Sequence, residues 1–239
     1  MELKIRKNNT LNWIKGFEIN RKLPIGPQIY NLLREAIVSL KLMPGEPISE
    51  KIICEELGYS RTPIREAVIK LEDEGLIEVF PQKGTYISKI SVEGVLESQF
   101  IRETMECAII NYVVNNGTVK LFDKISLILK KYNKALEKKD YNDLFILDEK
   151  FHRQLADFCY KKRLWKMINL VKPDMDRLRL MALKSPTRPF EVIKEHEHIF
   201  NAIVSRDEKK ADEAIKYHLR YIFKEINETK KMNPEYFTK

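Results

Sequence analysis

Apolar residues fall at helical spacing in two successive patterns along the chain. In the first, Leu32, Leu33, Ala36, Ile37 and Leu40 make one stripe of a helix, and the turn-rich KLMPGEPIS follows. Ile52, Ile53 and Leu57 then give a short second helix its apolar face. Ser49 is placed to cap its start and Glu50 suits its first turn. Gly58 can adopt the left-handed conformation that ends a helix and turns the chain. A third helix starts near Ser60–Pro63, where proline is tolerated because a first-turn N–H has no intrahelical partner. Its buried face is Ile64, Ala67, Val68 and Leu71, which leaves Arg61, Thr62 and Arg65 at its exposed N-terminal end. Two short helices across a tight turn, the second carrying guanidiniums at its start, have the anatomy of a helix-turn-helix. LIEVF and TYISKI are β-like runs around PQKG and predict a hairpin. Three helices and a hairpin make a winged helix-turn-helix over residues 24–90. Gln82, Lys83 and Gly84 form the wing tip, with Lys83 placed for a minor groove or a phosphate.

The second pattern covers residues 91–232, where turn residues thin out. Helices are expected near 92–115, 119–138, 141–159, 162–183, 190–205 and 208–229. Pro173 should kink or split the fourth, so an antiparallel all-α bundle of six or seven helices follows. The fold class is mainly α. Residues 233–239 read as a tail. Residues 1–23 precede the winged domain, and Trp13, Ile14, Phe17 and Ile19 give them a short amphipathic piece, either packed on the body or part of an arm.

Composition narrows the setting more than the chemistry. The 239 residues suit two domains or one large one, and 44% apolar content is ordinary for a globular protein. Cys54, Cys107 and Cys159 form no disulfide framework or zinc-type spacing, which fits a reducing cytoplasm. No run of eighteen apolar residues and no signal-peptide core is present, so neither membrane insertion nor secretion is expected. The formal charge of +8 invites a nucleic-acid reading, but residues 1–90 hold 14 Lys/Arg against 12 Asp/Glu. Binding through the winged domain must therefore rest on a few placed side chains rather than on a basic domain.

The run IYNLLREAIVSLKLMPGEPISEKIICEELGYSRTPIREAVIKLEDEGLIEVFPQKGTYI resembles the DNA-binding domain of the GntR family of bacterial transcription regulators. The resemblance covers about sixty consecutive residues, with SRTPIREAV and LEDEGLIE its specific signature. It implies DNA contacts by Ser60, Arg61, Thr62 and Arg65. Lys51 matches a position that is more often arginine. Lysine neutralises a phosphate but lacks the fork that reads guanine.

All four histidines lie in the second pattern. Asp148 and His152 are four apart and share a face with Leu144, Phe151 and Leu155. His196 and His198 are separated by about 200° around a helix and cannot both point inward. His196 shares its stripe with Val192, Ile199 and Ile203, so it is the inward one. His218 shares a stripe with Ala211, Ala214, Ile215 and Ile222. One carboxylate and three imidazoles from three helices make a ligand set for a divalent transition metal, zinc first, with nickel, manganese and iron compatible.

IRETMECAIINYVV, DEKFHRQLADFC and EHEHIFNAIVSRDEKKADEAIKYHL resemble the FCD ligand-binding domain of the FadR-type GntR branch. That resemblance implies the same metal set, Asp148, His152, His196 and His218, with a small carboxylate effector at or beside it. It also places Arg102 near the effector, against the alternative of a surface ion pair with Glu106. Together these imply a metabolite-controlled repressor, a homodimer on a (pseudo)palindromic double-stranded operator, with no catalytic residues. Two other classes compete: a metal-dependent hydrolase on a helical bundle, and an architectural DNA binder whose metal is purely structural. Effector identity, operator sequence and the direction of control are not readable from the sequence.

Overall fold

Proline and glycine set where the first helix begins. The helix α1 (Ile25–Val38) starts earlier than its apolar stripe, with Gly26 and Pro27 in the first turn, where no amide donor is needed. It buries Ile29, Leu32, Leu33, Ala36 and Ile37. The computed structural model describes residues 13–14, 17–159 and 163–239. They form two units, one running to Ser91 and including Asn233–Lys239, the other Val92–Met232.

In the first unit, α2 (Glu50–Leu57) and α3 (Arg61–Asp73) form the helix-turn-helix. The Ser49 side chain accepts from the Ile52 amide at 3.4 Å. Gly58 ends α2 at φ 70°, in the left-handed region that favours glycine. The hairpin is β2 (Ile77–Phe80) and β3 (Gly84–Ile87), antiparallel with Ile77 opposite Ile87 and Phe80 opposite Gly84. A third strand was not expected: β1 (Pro47–Ile48) pairs with β3, so the sheet order is β1-β3-β2. Two residues are too few to show an alternating pattern, and the proline there reads as a turn. Trp13 and Ile14 are buried in this unit's core, with Phe17 and Ile19 packed against it. The remainder of residues 1–12, and 15–16, lies outside the described residues.

The second unit contains α4 (Val92–Asn116), α5 (Val119–Lys138), α6 (Tyr141–Phe158), α7 (Leu164–Val171), α8 (Pro173–Ala182), α9 (Arg188–Val204), α10 (Glu208–Arg220) and α11 (Ile222–Met232). Thr118, Asp140 and Asp207 cap α5, α6 and α10 by accepting from the amides of Leu121, Asp143 and Lys210. The short turns between α5 and α6 and between α9 and α10 make those packed neighbours antiparallel. The expectation of six or seven helices is corrected to eight among the described residues. Pro173 splits one helix into α7 and α8. A second break falls at Tyr221, whose amide bonds the His218 carbonyl at 3.3 Å, one residue short of helical spacing. No proline or glycine marks it. After α11 the chain does not end as a loose tail. Phe237 is buried and bridges Ile90 in parallel, within the first unit.

Candidate functional site

The start of α3 presents an exposed polar surface. Ser60 is its N-cap in extended conformation, with no capping bond from its own side chain. Arg61, Thr62 and Arg65 are exposed, backed by buried Ile64, Ala67, Val68 and Leu71. Arg61 and Arg65, four apart, lie on one side of the helix. Lys51 is exposed on α2, 3.9 Å from Glu55 one turn on. At the hairpin tip Gln82 has φ 61° and Gly84 φ 118°, and both are exposed with Lys83. Tyr86 braces the tip, its hydroxyl donating to the Lys83 carbonyl at 3.1 Å.

The second unit brings its sequence-predicted residues together. Asp148 and His152 from α6, His196 from α9 and His218 from α10 are all buried, and each offers a ligand atom within 4.8 Å of the others. His198 is exposed. His152 Nε2 and His218 Nε2 face each other at 3.2 Å. His196 Nε2 is 3.5 Å from Asp148 Oδ1, and neither His196 nitrogen has a hydrogen-bond partner. The ring is instead held by stacking on Phe151, at 4.1 Å between centroids and 12° between planes. Burial pushes His196 well below its ordinary pKa, and His218 down to about 4. Both are thus neutral at pH 7, the form that ligates a metal. Asp148 remains a carboxylate: burial opposes its charge, but the Arg179 guanidinium beside it holds its pKa well below the usual range. Two imidazoles with their Nε2 atoms face to face, an unbonded imidazole and an ionised carboxylate, all buried, fit a metal cation.

A layer of charge surrounds the four. Glu106 Oε2 accepts from His152 Nδ1 at 2.5 Å, and Glu195 Oε2 accepts from His218 Nδ1 at 2.7 Å. Arg179 pairs with Asp148, and with Glu149 at 3.0 Å and Asp176 at 3.2 Å. Lys172, fully buried, donates to Glu149 at 2.6 Å and to Asp176 at 2.7 Å. Arg188 pairs with Glu195 at 2.7 Å and with Glu225. Arg102 does pair with Glu106, at 2.6 Å, but the pair is buried rather than on the surface. Arg102 Nη2 is left without a partner.

The sequence pattern gave Glu106 only as a surface partner of Arg102, and Glu195 and Arg179 not at all. The signal was present for the glutamates: Glu106 shares a stripe with Ile109, Ile110 and Val113, and Glu195 with Val192, Ile199 and Ala202. A charge on an apolar stripe is a buried charge in need of partners. Arg102, Asp148, Arg179, Arg188 and His218 also line a cavity of about 20 Å³.

Profiles of two families match the chain: "Bacterial regulatory proteins, gntR family" over residues 26–87, and "FCD domain" over residues 97–221. Over 221 residues the chain is 33% identical to the HTH-type transcriptional repressor RspR of Escherichia coli strain K12, covering 92% of this chain and 97% of that protein. The chain belongs to the GntR family. It is also similar to the gluconate operon transcriptional repressor of Bacillus subtilis strain 168, 26% identical and covering 78% of each chain. The fold matches E. coli McbR/YncC with a TM-score of 0.75 at 20% identity, over 87% of this chain and 99% of that one. This GntR-family protein is accordingly a transcription regulator, with a DNA-binding helix-turn-helix and an FCD domain whose buried Asp/His cluster is able to hold a metal. The matched family and the similar proteins are named for transcription regulation, which speaks against the hydrolase alternative. Among the described residues no helix is long and apolar enough to cross a membrane.

Proposed function

We propose that this regulator is a homodimeric repressor whose operator affinity is set by a small carboxylate bound beside a divalent metal, zinc first. The metal would be held by Asp148, His152, His196 and His218. The observation that carries the reading is the pair of Nε2 atoms facing at 3.2 Å beside an imidazole with no bonded nitrogen. The buried or half-buried charges around it agree. Arg102, Lys172, Arg179 and Arg188 stand against six carboxylates: Glu106, Asp148, Glu149, Asp176, Glu195 and Glu225. A dication balances that excess. When bound, the metal supplies a fixed positive charge for an anionic ligand.

Arg102 supplies the second handle. Its Nη2 is a buried, unused donor beside the cavity and suits a carboxylate oxygen. The cavity has room for about one water, so a carboxylate must widen it. Its lining comes from α4, α6, α8, α9, α10 and α11 and the turn after α8, so widening moves helices. That movement is the means by which effector affinity can differ between two arrangements of the regulator.

DNA contact is assigned to Lys51, Ser60, Arg61, Thr62 and Arg65, with Gln82, Lys83 and Gly84 at the wing. Two such units in a two-fold dimer suit a (pseudo)palindromic operator. Repression follows the names of the similar proteins RspR and the gluconate operon repressor.

The test is a screen of sugar acids, hydroxy acids and dicarboxylates against metal-loaded protein. Thermal shift, metal content and operator anisotropy are read in parallel. One acid should raise the thermal midpoint and weaken operator binding, and Arg102→Ala should abolish both effects. The tightness of the cavity favours one second reading, a purely structural metal. No stabilising acid and no change in operator affinity would select it.

A further inference from the structure

Two of the cavity's arginines lead to the cluster by the same route. Arg102 Nε donates to Glu106 Oε1 at 2.6 Å, and Glu106 Oε2 meets His152 Nδ1 at 2.5 Å. Arg188 Nη1 donates to Glu195 Oε1 at 2.7 Å, and Glu195 Oε2 meets His218 Nδ1 at 2.7 Å. Each relay runs arginine, glutamate, histidine, and all six side chains are buried. We propose that Glu106 and Glu195 are positioning residues of the metal site. They lock His152 and His218 in the Nδ1–H tautomer and so keep both Nε2 lone pairs facing the ion. The inference rests on the metal reading above, which assigns the ligands but not what orients them.

For neutral rings the chemistry leaves one consistent arrangement. Arginine has no acceptor, so the glutamate oxygen beside it must accept. The other oxygen of an ionised carboxylate also accepts, so the imidazole Nδ1 must carry the proton. A neutral ring with its proton on Nδ1 has a bare Nε2. With both rings neutral that holds on both relays, and the two Nε2 lone pairs then face each other across 3.2 Å, an arrangement that suits a cation between them. Outer carboxylates of this kind fix the tautomer and orientation of ligating histidines. His196 stands outside the scheme. Neither of its nitrogens is bonded, and Phe151 rather than a carboxylate sets its ring plane. The site therefore has two histidines fixed by hydrogen bonds and one fixed by stacking.

Glutamine separates positioning from packing. It keeps the shape of glutamate but replaces one acceptor with an NH₂ donor. In Glu106→Gln the remaining carbonyl must face Arg102, so the NH₂ faces His152 Nδ1. His152 then accepts at Nδ1 and carries its proton on Nε2, the ligating nitrogen. The same swap in Glu195→Gln turns His218.

The experiment uses the full chain stripped of metal. Ring ¹⁵N shifts of its four histidines report the tautomers, and zinc affinity is measured by competition with a chromophoric chelator. Wild-type His152 and His218 should both be Nδ1–H. Glu106→Gln should move only the His152 signal to the Nε2–H form, and Glu195→Gln only that of His218, which also assigns the signals. Each variant should lose about 10- to 100-fold in zinc affinity. An Nε2–H tautomer for either residue in the wild type overturns the proposal. So does a glutamine variant that folds and binds zinc within twofold of wild type. If a variant does not fold, the wild-type tautomers decide. Wild-type protein that takes up no zinc, nickel, manganese or iron overturns the metal reading instead, and the metal-free tautomers still decide the relays.

Discussion

At the scale of single residues, the buried histidines tie stability to pH. Burial is the largest cause of the fall of His218 to about 4, opposed by its bond to Glu195. Unfolded histidine titrates near 6.5. Between those values the unfolded chain binds more protons than the folded one, so stability rises with pH there and is lost as pH falls from about 6.5 toward 4. Metal-free protein should therefore have a lower urea midpoint at pH 5.5 than at 7.5, with His218 accounting for on the order of 1 kcal/mol. Asp176 and Glu225 work in the opposite sense, because burial pushes them up. The diagnostic is thus the difference between wild type and His218→Gln: the fall with pH must be smaller in the variant. An equal fall would place the titration elsewhere. The choice of His196 over His198 was legible because 200° of helix separates them, and an apolar stripe names the inner one. The roles of Glu106 and Glu195 were not legible, since their partners lie on other helices. No spacing within one helix announces a pairing across 46 residues, as between Glu106 and His152.

At the scale of elements, local chemistry wrote most of the boundaries into the sequence. Ser49 and Gly58 bracket α2 because a side-chain acceptor is needed at one end and a left-handed residue at the other. Pro173 splits α7 from α8 because it has no amide to donate and fits a first turn. The break at Tyr221 was invisible because it is a tertiary outcome. The Arg188 guanidinium sits 3.8 Å from the centre of the Tyr221 ring, and α11 packs on α8. β1 was missed for a similar reason, as two residues become a strand only through β3. Gly58 offers a clean test of the turn. A methyl added there meets nothing within 4 Å, so Gly58→Ala adds no clash and only the cost of φ 70°. That cost is roughly 1–2 kcal/mol. The chain's two tryptophans make it measurable, since Trp13 is buried in the first unit and Trp165 in the second. In a Trp165→Phe background, Gly58→Ala should lower the urea midpoint reported by Trp13. Gly58→Asn should lower it less, because asparagine tolerates the left-handed region better. Equal midpoints for all three would mean that the turn is not under conformational demand.

At the scale of the whole molecule, charge is in the wrong place for a simple electrostatic account of DNA binding. The chain carries +8, yet residues 1–90, which hold the winged domain, are nearly balanced. The proposed interface uses four basic side chains in each protomer: Lys51, Arg61, Arg65 and Lys83. The proposed dimer would therefore neutralise at most about eight phosphates, and the slope of log affinity against log salt should be no steeper than roughly −7. A base-reading role for any arginine makes it shallower still. Lys83→Ala should weaken binding about equally on all sequences and flatten the dimer's slope by roughly 1 for each protomer. Arg65→Ala should cost about 1–3 kcal/mol on the operator while leaving non-specific binding less affected, because a guanidinium at a base edge carries sequence information. Titrations of operator and scrambled duplex across a salt series give all three quantities. A slope much steeper than −7 would mean that the excess of lysine and arginine beyond residue 90 also meets DNA. The winged domain would then be only part of the interface. A shallow slope with strong discrimination by Arg65 would instead show that a nearly neutral domain reads its operator by placement of a few side chains, with the remaining positive charge serving another purpose.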